Sequence, residues 1–364
     1  MSETANVRGR ALRRGWTTGA CATAAARAAY EALRTGVFPD PVEIVLPGGQ
    51  RPAFALALHE RGPGFARAGI VKDAGDDPDV THGALVIATV RPAAPGAGLV
   101  FRAGEGVGTV TRPGLPLPPG EPAINPGPRE MIRANLPGAP DLEVEIAIPG
   151  GEKIAERTLN GRLGIVGGLS ILGTTGIVTP YSCSAWIHSI HRGIDVARAV
   201  GLTHIAGATG STSEAAVQKL RGLPEVALID MGDFVGGMLK YLRLHPVADV
   251  TIAGGVAKMS KLGQGLLDLH SRRGEVDLGW LAARAREAGA GGALAESIAA
   301  ANTAKHAFDL AAGFNLASPV AAAAWATAAK AVGAGARRLE IAVFDRDGVL
   351  LATTGLRALH GAPR

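Results

Sequence analysis

The chain has two cysteines, Cys21 and Cys183, in 364 residues. They stand far apart and match neither a disulfide framework nor a metal-ligand spacing, so a reduced, cytoplasmic protein is the expectation. Aromatic residues make up only 4%, which leaves small aliphatic side chains to build the core. Long apolar runs are missing too. The nearest approach, residues 320–332, is dominated by alanine and contains Lys330. It is too short to span a bilayer and reads as a buried helix with Ser318 and Pro319 at its start. Arg8, Arg10, Arg13 and Arg14 are followed by no apolar stretch, so no secretory signal is expected, and residues 1–15 read as a loose arm. Basic residues are scattered and not interleaved with aromatics, although the formal net charge is +5. That excludes a nucleic-acid tracker and suits a small acidic substrate. Neither a Gly-x-Gly-x-x-Gly fingerprint nor a Ser-His-Asp or zinc-protease signature occurs.

What is present is a globular composition, 47% hydrophobic and 19% charged, at a length that suits two domains. The rest of the chain is organised around residues 163–182, LGIVGGLSILGTTGIVTPYS. Two apolar runs parted by Gly167-Gly168 end on Gly173-Thr174-Thr175-Gly176, and helical apolar spacing follows from Cys183 onward. Strand, glycine turn and helix in that order open a nucleotide-binding α/β unit, where glycines let the backbone approach a ligand. A tight connection with no ligand is the plain alternative.

In the first part of the chain, Gly15-Trp16-Thr17-Thr18-Gly19 leads into an alanine-rich helix over residues 20–34, closed by Gly36. Thr17 or Thr18 serves either as a cap or as a second anion site. Strand-like runs follow at 42–46, 53–59, 66–71 and 84–90, interrupted by Lys72-Asp73-Ala74-Gly75-Asp76-Asp77-Pro78-Asp79-Val80-Thr81-His82-Gly83. Four aspartates and a histidine suggest a hard-metal loop, but the spacing is not that of an EF-hand, and a polar turn or substrate loop is the better reading. Seven prolines (113, 116, 118, 119, 122, 126 and 128) stiffen residues 104–128, so that segment is neither helix nor inner strand. A helix at 129–136 and a strand at 142–148 complete this part, and Pro149-Gly150-Gly151 is the boundary signal.

Beyond it, strands and helices alternate. Strand ends fall at Gly207-Ala208-Thr209-Gly210-Ser211-Thr212, at Asp230-Met231-Gly232-Asp233 and at Gly254-Gly255. The expected fold is therefore an α+β domain (1–152) followed by an α/β doubly wound, mostly parallel-sheet, Rossmann-like domain (153–364). Ligands of such sheets sit at the strands' carboxyl ends.

Taken together, Gly15–Ala22, 72–83, 104–132, Pro149-Gly150-Gly151, Thr158-Leu159-Asn160 and 173–178 resemble the cobalt-precorrin-5B C-1 methyltransferases of cobalamin biosynthesis. The resemblance spans nearly the whole chain in the right order. It implies S-adenosylmethionine as methyl donor and a cobalt-containing corrinoid as small-molecule substrate, cobalt entering only as part of that substrate. Many members carry Gly-Asn-Tyr-Gly where this chain has Gly232-Asp233-Phe234-Val235, so no residue role is transferred there.

Methyl transfer from a sulfonium is an in-line displacement that needs positioning and desolvation more than an acid–base pair. Should a proton leave the macrocycle, Asp73, Asp76, His82 and Asp233 are the candidate bases. The carboxylate arms of the substrate call for cations, and Lys72, Arg112 and Arg129, with Asn125 beside them, are the candidates. Gly173, Thr174, Thr175, Gly176, Gly207, Thr209, Gly210, Asp230 and Gly232 are the candidate donor-binding residues, Asp230 as the acid nearest a ribose. No resident metal, nucleic acid or membrane is expected, and the sequence leaves a homo-oligomer open. Two competing readings are a nicotinamide-dependent oxidoreductase, disfavoured by the missing fingerprint, and a non-catalytic corrinoid-binding protein, disfavoured by the lack of an Asp-x-His-x-x-Gly stretch.

Overall fold

The computed structural model describes residues 11–138 and 141–359; Arg8 and Arg10 of the predicted arm lie outside them. The chain divides into two compact units, one reaching Cys183 and the other beginning at Ser184.

The first unit begins with β1 (Gly15–Trp16), α1 (Thr18–Thr35), β2 (Val42–Glu43), β3 (Ala53–Phe54) and β4 (Leu58–Gly62). It continues through β5 (Phe65–Val71), β6 (Leu85–Pro92), β7 (Leu99–Ala103), β8 (Thr109–Val110) and α2 (Pro126–Asn135). Last come β9 (Leu142–Ala147), α3 (Gly151–Ala155), α4 (Asn160–Leu163), β10 (Ile165–Val166) and β11 (Ile177–Val178).

Helix α1 is buried over most of its surface by its alanines, and Arg27, Glu31 and Arg34 form the strip left half-buried or exposed. Thr17 caps it by accepting from the Ala20 amide, and Gly36 closes it in the left-handed conformation. Its alanines allow close approach to β5 and β6, central strands of a sheet ordered β4-β5-β6-β9-β7. All pairs in that sheet are antiparallel except β7 with β9. Alternation along β9 buries Leu142, Val144 and Ile146.

The second unit begins within α5 (Cys183–Ala199) and continues with β12 (His204–Ala208), α6 (Ser211–Arg221), β13 (Leu228–Asp230), α7 (Val235–Leu242), β14 (Val247–Gly255) and α8 (Val256–Gly263). Four helices follow: α9 (Leu278–Glu287), α10 (Gly292–Ala299), α11 (Ala304–Leu310) and α12 (Ala317–Val332). Three strands end the unit: β15 (Ala336–Phe344), β16 (Leu350–Thr353) and β17 (Arg357–Ala358). The sheet order is β13-β12-β14-β15-β16, with β17 also on β15. Strands β12 to β15 run parallel, whereas β16 and β17 are antiparallel.

Side chains alternate across this sheet. Ile205, Ile229, Ile252 and Ile341 face one core shared with α5, α7, α8 and the helices from α9 to α12. Each such isoleucine contributes on the order of 2 kcal/mol by leaving water. The opposite face carries Ala206, Leu228, Ala253 and Ala342, packed with Val217 of α6.

The predicted architecture is corrected on this point. The chain folds into several small sheets of mixed strand direction, and the second half is not a Rossmann-like doubly wound domain. Two antiparallel strands close one side of its sheet, and the helical core lies almost wholly on one face, with α6 alone opposite among the described helices. The physical cause lies in sequence spacing. Residues 278–332 supply four helices in succession with no strand between them, so the alternation needed to clothe both faces stops after α8.

The organising stretch 163–182 also differs from expectation. Ile165–Val166 pairs antiparallel with β8, and Leu169 and Ile171 make only isolated bridges to Val107 and Ile124. Ile177–Val178 pairs with β1. The stretch therefore wraps the first unit and opens no parallel sheet. Pro149-Gly150-Gly151 sits inside that unit as well, where a Cβ on Gly151 would come within 2.3 Å of the Gly106 carbonyl.

Candidate functional site

Successive parallel strands of the second unit end side by side. Ala208 pairs with both Asp230 and Ala253, so the turns that follow β12, β13 and β14 emerge together. Gly210 is the N-cap of α6 and Gly255 the N-cap of α8. As glycines they offer no side-chain acceptor to the amides of the first turn. The place of a Cβ on Gly210 is open, and on Gly255 the nearest atom is the Phe344 carbonyl at 4.0 Å. Uncapped helix starts behind bare backbone form a surface suited to polar or anionic groups. Gly207 is different: a Cβ there would lie 2.4 Å from the Met238 sulfur, so it serves core packing.

The turn after β13 is braced from two sides. Lys258, in the first turn of α8, pairs with the Asp233 carboxylate and also donates to the Leu269 carbonyl at 3.3 Å. Leu269 in turn donates its amide to the Asp233 carbonyl at 2.9 Å. On the other side, the Trp186 indole donates to the Asp230 carbonyl at 3.1 Å. Gly232 takes φ 50 against that ring, a conformation that disfavours other residues. Lys258 and Trp186 were not singled out from sequence. Lys258 had a usable signal, since the Gly254-Gly255 strand end fixes it one helical turn beyond.

The remaining predicted residues lie in the first unit. Gly173, Thr174, Thr175 and Gly176 form a turn against the start of α1. The Thr17 amide donates to the Gly176 carbonyl at 3.0 Å, and the Gly19 amide to that of Leu172. A Cβ on Gly173 would press into Thr17, and one on Gly176 into Leu46. These glycines thus close a structural joint. Gly207, Thr209, Gly210, Asp230 and Gly232 belong to the second unit, and the 173–176 group to the first.

The aspartate-rich loop grips the approach to α1. Arg13 pairs with the Asp73 carboxylate, and its amide donates to Asp76 at 2.6 Å. The Trp16 amide donates to the Asp73 carbonyl at 2.7 Å, so residues 13–16 are tied down and not a loose arm. The Arg13 guanidinium and the Gly75 amide hold the Asp73 carboxyl down to about 2, which makes it a poor proton acceptor at neutral pH. His82 accepts the Ala74 amide on Nδ1 at 3.1 Å. Asp77 accepts from the Tyr181 amide.

Lys72 is 1% exposed and its ammonium meets Asp79 at 2.6 Å. Thr81 adds two more hydrogen bonds to the same carboxylate. Burial pushes the Asp79 carboxyl upward, but Lys72 and Thr81 outweigh it and the net shift is down. Near Lys72, burial raises the Cys21 thiol to about 12, so that cysteine is inert.

The proline-rich segment is likewise fastened. Arg129 donates to the carbonyls of Ile124 (2.7 Å) and Pro122 (3.1 Å) and pairs with Glu121 at 2.8 Å. Arg112 donates to the Arg162 carbonyl at 2.9 Å. Asn125 is the N-cap of α2 without a side-chain cap bond. No described helix is long and apolar enough to cross a membrane.

Comparison with known proteins matches this organisation to one family. A model described as CbiD matches residues 5–180, and one described as CbiD, C-terminal domain, matches residues 268–355. A Bradyrhizobium protein named cobalt-precorrin-5B C(1)-methyltransferase is 67% identical over 96% of this chain and 96% of its own length. The protein of the same name from Agrobacterium fabrum is 64% identical over 97% and 95%. A crystal structure of the cobalamin biosynthesis protein from Archaeoglobus fulgidus is 28% identical, covering 78% of this chain and 87% of that one, with a TM-score of 0.39. Matched along nearly its full length, the chain belongs to the CbiD family.

Proposed function

We infer that the protein methylates C-1 of cobalt-precorrin-5B, giving cobalt-precorrin-6A, with S-adenosylmethionine as the methyl donor. The observation that carries the activity is the full-length likeness to relatives named for that reaction. Neither nicotinamide-dependent oxidation nor passive corrinoid binding has a counterpart among those names.

For the donor, the fitting surface is the cluster of strand ends in the second unit. Gly210 and Gly255 leave their Cβ positions open, and the first-turn amides of α6 and α8 stand behind them. Thr209, Asp230 and Gly232 flank the same turns. The donor supplies an activated methyl group; the protein's own residues have to hold it in line and keep water out. Asp233, held beside Lys258, is the candidate to accept a proton from the macrocycle. For the carboxylate arms of the substrate, Arg112 is the preferred cation, because its fork makes a single described hydrogen bond. Arg129 and Lys72 are spent on Glu121 and Asp79, and we assign them to the fold.

The test is methyl transfer itself. The purified protein, given labelled S-adenosylmethionine and cobalt-precorrin-5B, should place one labelled methyl on C-1, located by carbon NMR. Label on another ring carbon, or none at all, would overturn the assignment.

A further inference from the structure

We propose that Trp186 forms a wall of the donor site and stacks on the adenine ring; this rests on placing the donor at the strand ends of the second unit. Among the four tryptophans, Trp186 alone is exposed, while Trp16, Trp280 and Trp325 are half-buried. It is 46% exposed, in a chain with few aromatic rings to spare. An indole left in water contributes little to folding, yet this one is held in place. Its Nε1 donates to the Asp230 carbonyl at 3.1 Å, and Phe234 lies tilted to it at 6.5 Å between centroids.

The surroundings show where the ring stands. Asp230 ends β13 beside Ala208, two residues before Gly210. A Cβ at Gly232 would come within 3.2 Å of the indole, so only a glycine backbone packs against the ring there and helps to fix its plane. A flat, immobilised aromatic next to bare backbone turns is the chemistry that receives a purine. Stacking supplies affinity through the π-face, while backbone amides and carbonyls read the edge. The sulfonium is the competing partner for the same face, since cation–π attraction also draws a cation over the ring.

Wild type, Trp186→Phe, Trp186→Ala and Gly210→Val should be titrated with S-adenosylhomocysteine and with S-adenosylmethionine by calorimetry, with each fold checked by circular dichroism. Trp186→Ala should weaken both ligands by about 5- to 100-fold, and Trp186→Phe should keep most of the affinity. S-adenosylhomocysteine should quench tryptophan emission in wild type and do so far less in Trp186→Phe, which retains the other three tryptophans. Unchanged affinity in Trp186→Ala with a loss in Gly210→Val would remove Trp186 and leave the donor site standing. A loss confined to S-adenosylmethionine would overturn the adenine assignment, because that ligand alone carries the sulfonium charge. Wild-type affinity in Gly210→Val would sink the underlying site, and this inference with it.

Discussion

Thr18 and Leu172, 154 residues apart, exchange a reciprocal pair of hydrogen bonds: the Thr18 hydroxyl donates to the Leu172 carbonyl at 3.2 Å and accepts the Leu172 amide at 3.0 Å. The start of α1 is thereby locked to the segment that carries Gly173–Gly176. What the sequence presents as two separate glycine-threonine motifs is one joint.

Thr18→Val keeps the shape and removes both bonds. Leaving the Leu172 amide without its partner should lower stability by about 1–3 kcal/mol, read as a shift of the first unit's transition in a urea titration. Affinity for S-adenosylhomocysteine should stay at the wild-type value. A tenfold loss would mean that the joint holds the donor.

Lys72→Met tests whether the buried lysine belongs to the fold. It strands the Asp79 carboxylate, at a cost of about 2–4 kcal/mol, below the full value for a buried pair because Thr81 still donates to it. Adding Asp79→Asn should recover part of that loss. Independent effects of the two substitutions in a denaturation cycle would dissolve the pair.

Glu340, fully buried in the second unit, gives a pH signature. Burial alone would raise its carboxyl, but hydrogen bonds from Arg221, Thr353 and Thr251 bring the net shift down. A folded value below the unfolded one stabilises above the ordinary carboxylate range, and the gain is lost as pH falls through the folded value. The stability difference between wild type and Glu340→Gln should therefore be full at neutral pH and shrink below about pH 5. A difference that grows on acidification has the wrong sign for this network.

Some of this was legible in the residues. Thr17 and Gly36 marked both ends of α1, and the helical spacing after Cys183 matched α5. The path of 163–182 was not, because apolar residues between glycines look alike whether they enter a sheet or bridge to distant loops. Its partners, Val107 and Ile124, leave no local mark. Sheet direction was hidden for a related reason: β16 and β17 are short, and nothing in them records the antiparallel choice. At the site, Gly210 and Gly232 could be read from turn chemistry. Lys258 and Trp186 depend on long-range neighbours, Asp233 and Asp230, that only folding supplies.

Gly210→Val is the simplest functional probe. The backbone at Gly210 is extended and open, so valine fits without strain and fills the space in front of α6. Donor affinity should fall about tenfold or more, the equivalent of about 1.4 kcal/mol, with the melting temperature unchanged. Gly176→Val should act the opposite way, destabilising the protein through Leu46 while the folded fraction still binds donor.

The most direct test is a crystal structure of the protein with S-adenosylhomocysteine bound. Density for the ligand against Gly210 and Gly255, its base beside Trp186, is the expected result. Density against Thr17–Gly19 and the Gly173–Gly176 turn, with the strand ends of the second unit empty, would contradict it.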